Sequence, residues 1–203
     1  MRLETTFRPS RHGFGFPNTW SDMVLGVIAS RGRCGGMVLA ALDAFDAEEE
    51  ISALDPSGAL PDYDSPLAHL IWRRQVDSVI THLGWNLWRF AELTYLPTPG
   101  PQGVGIVTRR ELLPLFDSLA AGRPAPLGLI SGLGLTHLAR NHQVLAWGAD
   151  FGDRYVRVNI YDPNYPLRDD IVLEVPFAAG PVIERIGRHR KAWRGFFVER
   201  RPR

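Results

Sequence analysis

The 203-residue chain has one cysteine, Cys34, in the run Ser30-Arg-Gly-Arg-Cys-Gly-Gly-Met37. Gly32 is a turn-forming residue, and Met37, Ala40, Ala41, Leu42 and Phe45 follow at helical spacing. The thiol is therefore expected at or near the first turn of a buried helix. Helix starts offer unpaired N–H groups and the positive end of the helix dipole, a setting that favours thiolates. A nucleophile of this kind needs a base beside it. The second half of the chain supplies one in His142, within Asn141-His-Gln-Val-Leu-Ala-Trp-Gly148, and an acid in Asp162, within Tyr155-Val-Arg-Val-Asn-Ile-Tyr-Asp-Pro-Asn164. A carboxylate bound to an imidazole fixes its tautomer and stabilises the imidazolium, while the free ring nitrogen takes the nucleophile's proton. Asn164 is the alternative orienting residue if the chain stays extended past Pro163. Singly, a buried cysteine packs as a small hydrophobe, a strand-end histidine is ordinary, and an aspartate before proline makes turns. Together they point to nucleophilic catalysis.

For these side chains to meet, the two β segments must pair in a definite register. Ala149-Asp-Phe-Gly-Asp-Arg154 is a turn signal. A hairpin centred on Gly152 pairs residues whose numbers sum to 304, which sets His142 opposite Asp162. Val144, Ala146, Val156, Val158 and Ile160 then share one apolar face with His142 and Asp162 at its end, while Gln143, Trp147, Arg157 and Asn159 fall on the other. Upstream, residues 7–20 form an irregular lead-in whose aromatics Phe7, Phe14, Phe16 and Trp20 can anchor packing. The helix after Cys34 should end near Ala47, and Glu48, Glu49 and Glu50 make an acidic edge. Ser65-Pro66 caps a helix running to Gly84 or beyond, and a third helix spans Arg109 to Ala121 before Gly122. Strands are expected at Ala125–Ile130, Gln143–Gly148, Tyr155–Tyr161, Ile171–Val175, and as a pair around 182–186 and 195–199. Helices first and an antiparallel sheet afterwards read as α+β in one domain over 1–203, with a helical half over about 20–122 and a β half over about 123–203.

The order Cys34, His142, Asp162, with the cysteine on an early helix and its partners in a following antiparallel sheet, resembles the papain-like cysteine peptidase superfamily, especially its compact bacterial branches such as the peptidase C39-like group. The resemblance covers the layout from about residue 12 to 175 and is specific only around those three residues. It implies a papain-like fold in which Cys34 is the nucleophile, His142 the general base and then acid, and Asp162 the orienting residue. Two positions depart from the pattern. Ile28 stands where such enzymes carry a glutamine oxyanion donor six residues before the cysteine, and Gly35 stands where an aromatic usually follows it. The backbone N–H of Cys34 and the side-chain amide of Asn18 are the candidate oxyanion donors.

Composition narrows the rest. Hydrophobic content of 45% and charged content of 22% are those of a globular protein, and apolar runs such as Met23–Ala29 are too short to span a membrane. One cysteine excludes an internal disulfide and a multi-cysteine zinc site, and His69 and His82 have no ligand cluster beside them. Gly132-Leu-Gly134 lacks the third glycine of a dinucleotide fingerprint, and there is neither a phosphate-binding loop nor a Gly-x-Ser-x-Gly elbow. No cofactor or metal is expected. Arg2, Glu4, Arg8 and Arg11 interrupt any secretory signal, which fits a cytoplasmic protein and leaves export without a cleaved leader open. Residues 185–203 hold eight basic residues against one acid, a balance of +7, whereas 1–184 balance at −6. That tail offers a surface for an acidic partner, but no recognition helix or RNA-binding motif accompanies it, which argues against nucleic acid. The expected substrate is a peptide or other amide. The competing readings are a catalytically inactive papain-like binding module and a bacterial effector or toxin using the same triad for deamidation or acyl transfer.

Overall fold

In the computed structural model, residues 2–20, 22–24, 28–30, 32–55, 57–98, 100 and 102–202 are described; residues 25–27 of the Met23–Ala29 run and Arg31 lie outside them. The chain opens with strand β1 (Arg2–Glu4), a helical turn α1 (Pro9–His12) and the hairpin strands β2 (Asp22–Val24) and β3 (Ile28–Ser30). Helix α2 (Cys34–Asp46) follows, then the short α3 (Ile51–Leu54), α4 (Pro66–Tyr95) and α5 (Val104–Ala120). The rest is antiparallel β structure: β4 (Ala125–Ile130), β5 (His142–Phe151), β6 (Tyr155–Tyr161), β7 (Ile171–Pro176), β8 (Val182–Ile186), β9 (His189–Trp193) and β10 (Gly195–Val198). The fold is mixed α+β, with a curled antiparallel sheet ordered β10-β4-β5-β6-β7-β8-β9 and β1 paired to the far part of β5.

Alternation along β5 and β6 separates two cores. Val144, Ala146, Val156, Val158 and Ile160 join Leu173, Val175, Trp193 and Phe196 under α5. Leu145, Trp147 and Tyr161, on the opposite face, pack against α2 and the lead-in aromatics Phe7, Phe14, Phe16 and Trp20. The faces are those expected, but the register differs. The tight turn closes with Gly152 N–H donating to the Tyr155 carbonyl, at 3.1 Å, and Phe151 pairs with Val156. A β-bulge between Ala146 and Gly148 then absorbs one residue, so Ala146 lies opposite Ile160 and Leu145 opposite Tyr161. Those sums are 306, two more than 304. A shift by two preserves which residues share a face, so the inward set survives.

Three element boundaries differ for local reasons. Ser65 Oγ accepts the Ala68 N–H at 3.1 Å and Pro66 occupies the first helical position, as expected, but α4 is interrupted at 81–84. His82, Leu83 and Gly84 adopt left-handed φ of 52°, 62° and 77°, and a second helical segment continues to Tyr95. Helix α5 begins at Val104 rather than Arg109 because Gly103 is still extended, and it accommodates Pro114 in its interior. In the basic tail, β8 pairs not with the last strand but with β9, across a turn where Gly187 has φ 56°. β10 crosses over to pair with β4.

Candidate active site

Cys34 is the first residue of α2, partly exposed, with Arg33 as the N-cap residue. The segment ahead of it is clamped. The Arg33 backbone N–H donates to Asn18 Oδ1 at 2.6 Å, and the Arg33 guanidinium sits among Trp20, Tyr63 and Trp72 at 5.0, 5.1 and 5.3 Å while donating to the Ala68 carbonyl. Gly32 is needed for its left-handed φ of 115° and because a Cβ there would lie 2.3 Å from Asn18 Nδ2.

The residue after the cysteine has a similar explanation. A Cβ on Gly35 would come within 2.1 Å of Gln143 Oε1 and 2.4 Å of Ser78 Oγ. Polar groups of α4 and β5 already fill that space, so no larger side chain fits. They form a buried network: Gly36 N–H donates to Gln75 Oε1 at 3.0 Å, Ser78 Oγ–H reaches Gln143 Oε1 at 3.3 Å, and Gln143 Nε2–H donates to Glu199 Oε2 at 2.9 Å. The network binds the start of α2 to α4, β5 and the chain beyond β10. Burial pushes the Glu199 carboxyl up to about 8, against the opposing influence of Gln143 and His142.

His142 begins β5, opposite Leu129 of β4, and its ring stacks on Trp193 at 6.0 Å and 12°. Its Nε2 lies 2.7 Å from Asp162 Oδ1. Asn164 comes within 3.0 Å of the same nitrogen, but through its Nδ2 donor, so a proton on Nε2 is accepted by Asp162 rather than by Asn164. Asn164 instead supports the aspartate, its backbone N–H donating to Asp162 Oδ1 at 2.8 Å. With Nε2 engaged, Nδ1 is left for the thiol. Burial alone would lower the imidazole's affinity for a proton; the Asp162 carboxylate and then Cys34, by charge and by hydrogen bond, outweigh it and hold His142 well above its ordinary 6.5. Asp162 is held below the usual carboxylate value: burial opposes this, but the imidazolium, Glu184 and the Asn164 N–H favour the anion.

The expected residues therefore converge. Cys34, His142 and Asp162 form one chain of contacts, and Asn18 and Asn164 border it, with Asn18 Nδ2 donating to Asn164 Oδ1 at 3.4 Å and Asn18 N–H to the Pro163 carbonyl at 2.9 Å. His12 packs between Phe7 and Phe45, near the far end of α2. His137 lies against Gly132. Arg33, Gln143, Glu199, Glu184 and Trp193 were not legible as site residues. The usable signal for Glu184 was its parity, since Val182, Glu184 and Ile186 occupy the buried positions of β8.

Among the described residues no group of three His, Cys, Asp or Glu is placed to hold a metal ion, and no helix is long and apolar enough to cross a membrane. No family model, curated protein or solved structure matches this chain.

Proposed function

We propose that the chain is a papain-like thiol hydrolase acting on a peptide or other amide bond. The observation that supports it best is a buried imidazole tied through Nε2 to a carboxylate, with the only cysteine, itself the first residue of a helix, near enough to raise that imidazole's affinity for a proton. In this reading the Cys34 sulfur attacks the carbonyl carbon and the electron pair moves to oxygen. The Cys34 backbone N–H, which has no acceptor within its own helix, and Asn18 Nδ2 are the donors available to that oxyanion. Collapse of the tetrahedral adduct breaks the C–N bond as His142 delivers its proton to the departing amine, leaving a thioester. A water then gives its proton to His142 and attacks the thioester, releasing the acid and the thiolate; an amine in place of water gives acyl transfer. Asp162 holds the ring in one tautomer throughout.

The test is mass spectrometry of the protein incubated with peptide anilides and activated esters. An acyl adduct on Cys34 is expected, absent from Cys34→Ala and formed about 10²–10⁴ times more slowly in His142→Ala. Turnover that persists in Cys34→Ala would refute the reading.

A further inference from the structure

Behind Asp162 stands a second carboxyl that the mechanism above does not use. Glu184 of β8 is 1% exposed, as is Asp162. Its Oε2 accepts the Trp193 Nε1–H at 2.8 Å, and Trp193 is the ring stacked on His142. Among the described residues its Oε1 has no hydrogen-bond donor, and the Asp162 carboxyl adjoins it closely enough that each bears on the other's proton. Two adjoining buried carboxyls do not both ionise. Asp162 has the imidazole and the Asn164 N–H to stabilise its charge, so the proton belongs to Glu184.

We propose that Glu184 is a positioning residue of this site: a neutral carboxyl that donates its proton to Asp162 and, by gripping Trp193 as well, fixes both groups that orient the His142 ring. This rests on the thiol-hydrolase reading for its purpose, though not for its test. His142 approaches from β5, Asp162 and the Tyr165 hydroxyl from the turn after β6, and β7 sets only Leu173 opposite Glu184. Lys191 is the ladder partner on β9, but its Nζ lies 3.9 Å over the Trp193 ring. Burial first, then the Asp162 charge, raise the Glu184 carboxyl to about 7. Loss of its proton in that range places two anions together, and Asp162 loses the hydrogen bond that anchors it from behind.

The experiment is NMR of the His142 ring in the full chain as a function of pH, for wild type, Glu184→Gln and Glu184→Ala. Glutamine is neutral at every pH, can donate to Asp162 through its amide and can accept from Trp193. The wild-type ring should show an inflection near pH 7 besides its own titration, and its downfield Nε2–H signal should weaken there. In Glu184→Gln that inflection should vanish and the signal should persist about one pH unit higher; in Glu184→Ala the signal should be weakened at all pH values. Superimposable wild-type and Glu184→Gln titrations, in which the side chain matters only for packing, would overturn the proposal. The readout needs no substrate, so failure of Cys34 to acylate would remove the hydrolase reading and leave this one standing.

Discussion

At the scale of single residues, the choice between Asp162 and Asn164 is decided by which atom each presents. A carboxylate oxygen at 2.7 Å from Nε2 accepts a proton; an amide Nδ2 at 3.0 Å does not. Asn18 is the other informative residue, because one side chain both takes the Arg33 N–H ahead of the nucleophile and reaches the loop that carries Asn164. If its Nδ2 also serves the oxyanion, Asn18→Ala lowers turnover by about 10²–10³ with little change in KM. An unchanged kcat in a variant with a normal thermal melt would remove Asn18 from that role. The cysteine, histidine and aspartate were legible because each stood at a position with a local signal: a turn before an apolar helix, the end of an alternating strand, and the residue before proline. Arg33 and Gln143 had no such signal, since their partners Trp20, Trp72, Gln75 and Ser78 lie far away in sequence.

At the scale of elements, period-two alternation carried the reading of β5 and β6 even though the register was displaced. The bulge beside Trp147 and the turn at 152–155 have no unique sequence mark, but together they shift pairing by an even number and leave the faces intact. β9 escaped for the opposite reason. His189, Arg190, Lys191 and Ala192 are all exposed, so the strand has no buried face to alternate with and reads as a charged end. The break in α4 was only faintly marked: Thr81 is extended, and of the left-handed residues His82, Leu83 and Gly84, Leu83 is one that rarely takes that backbone. Gly35 and Gly36 illustrate what element packing demands of sequence: the start of α2 approaches Gln143 and the Ile71 carbonyl too closely for any side chain.

At the scale of the molecule, three buried groups make stability fall as pH rises. Glu184 and Glu199 release their protons near 4.5 when unfolded but only near about 7 and about 8 when folded. Their contribution is therefore complete below about pH 4.5, declines as the unfolded chain ionises first, and is gone above their folded values. His142, raised above 6.5, acts in the same direction at higher pH, while Asp162, held below 3.8, contributes above that value and is lost in acid. Urea midpoints should thus peak near about pH 5 and decline toward pH 8, and Glu199→Gln should flatten the decline. A midpoint that rises from pH 5 to pH 8 would show these carboxyls to be ionised in the folded protein.

The central claim is that His142 activates Cys34, and the rate of Cys34 alkylation by iodoacetamide at pH 6 reads it without any assumption about substrate. Wild type should react at least about tenfold faster than His142→Ala, because only wild type has a base placed to take the thiol's proton as the sulfur attacks. Equal rates in the two proteins would contradict the account.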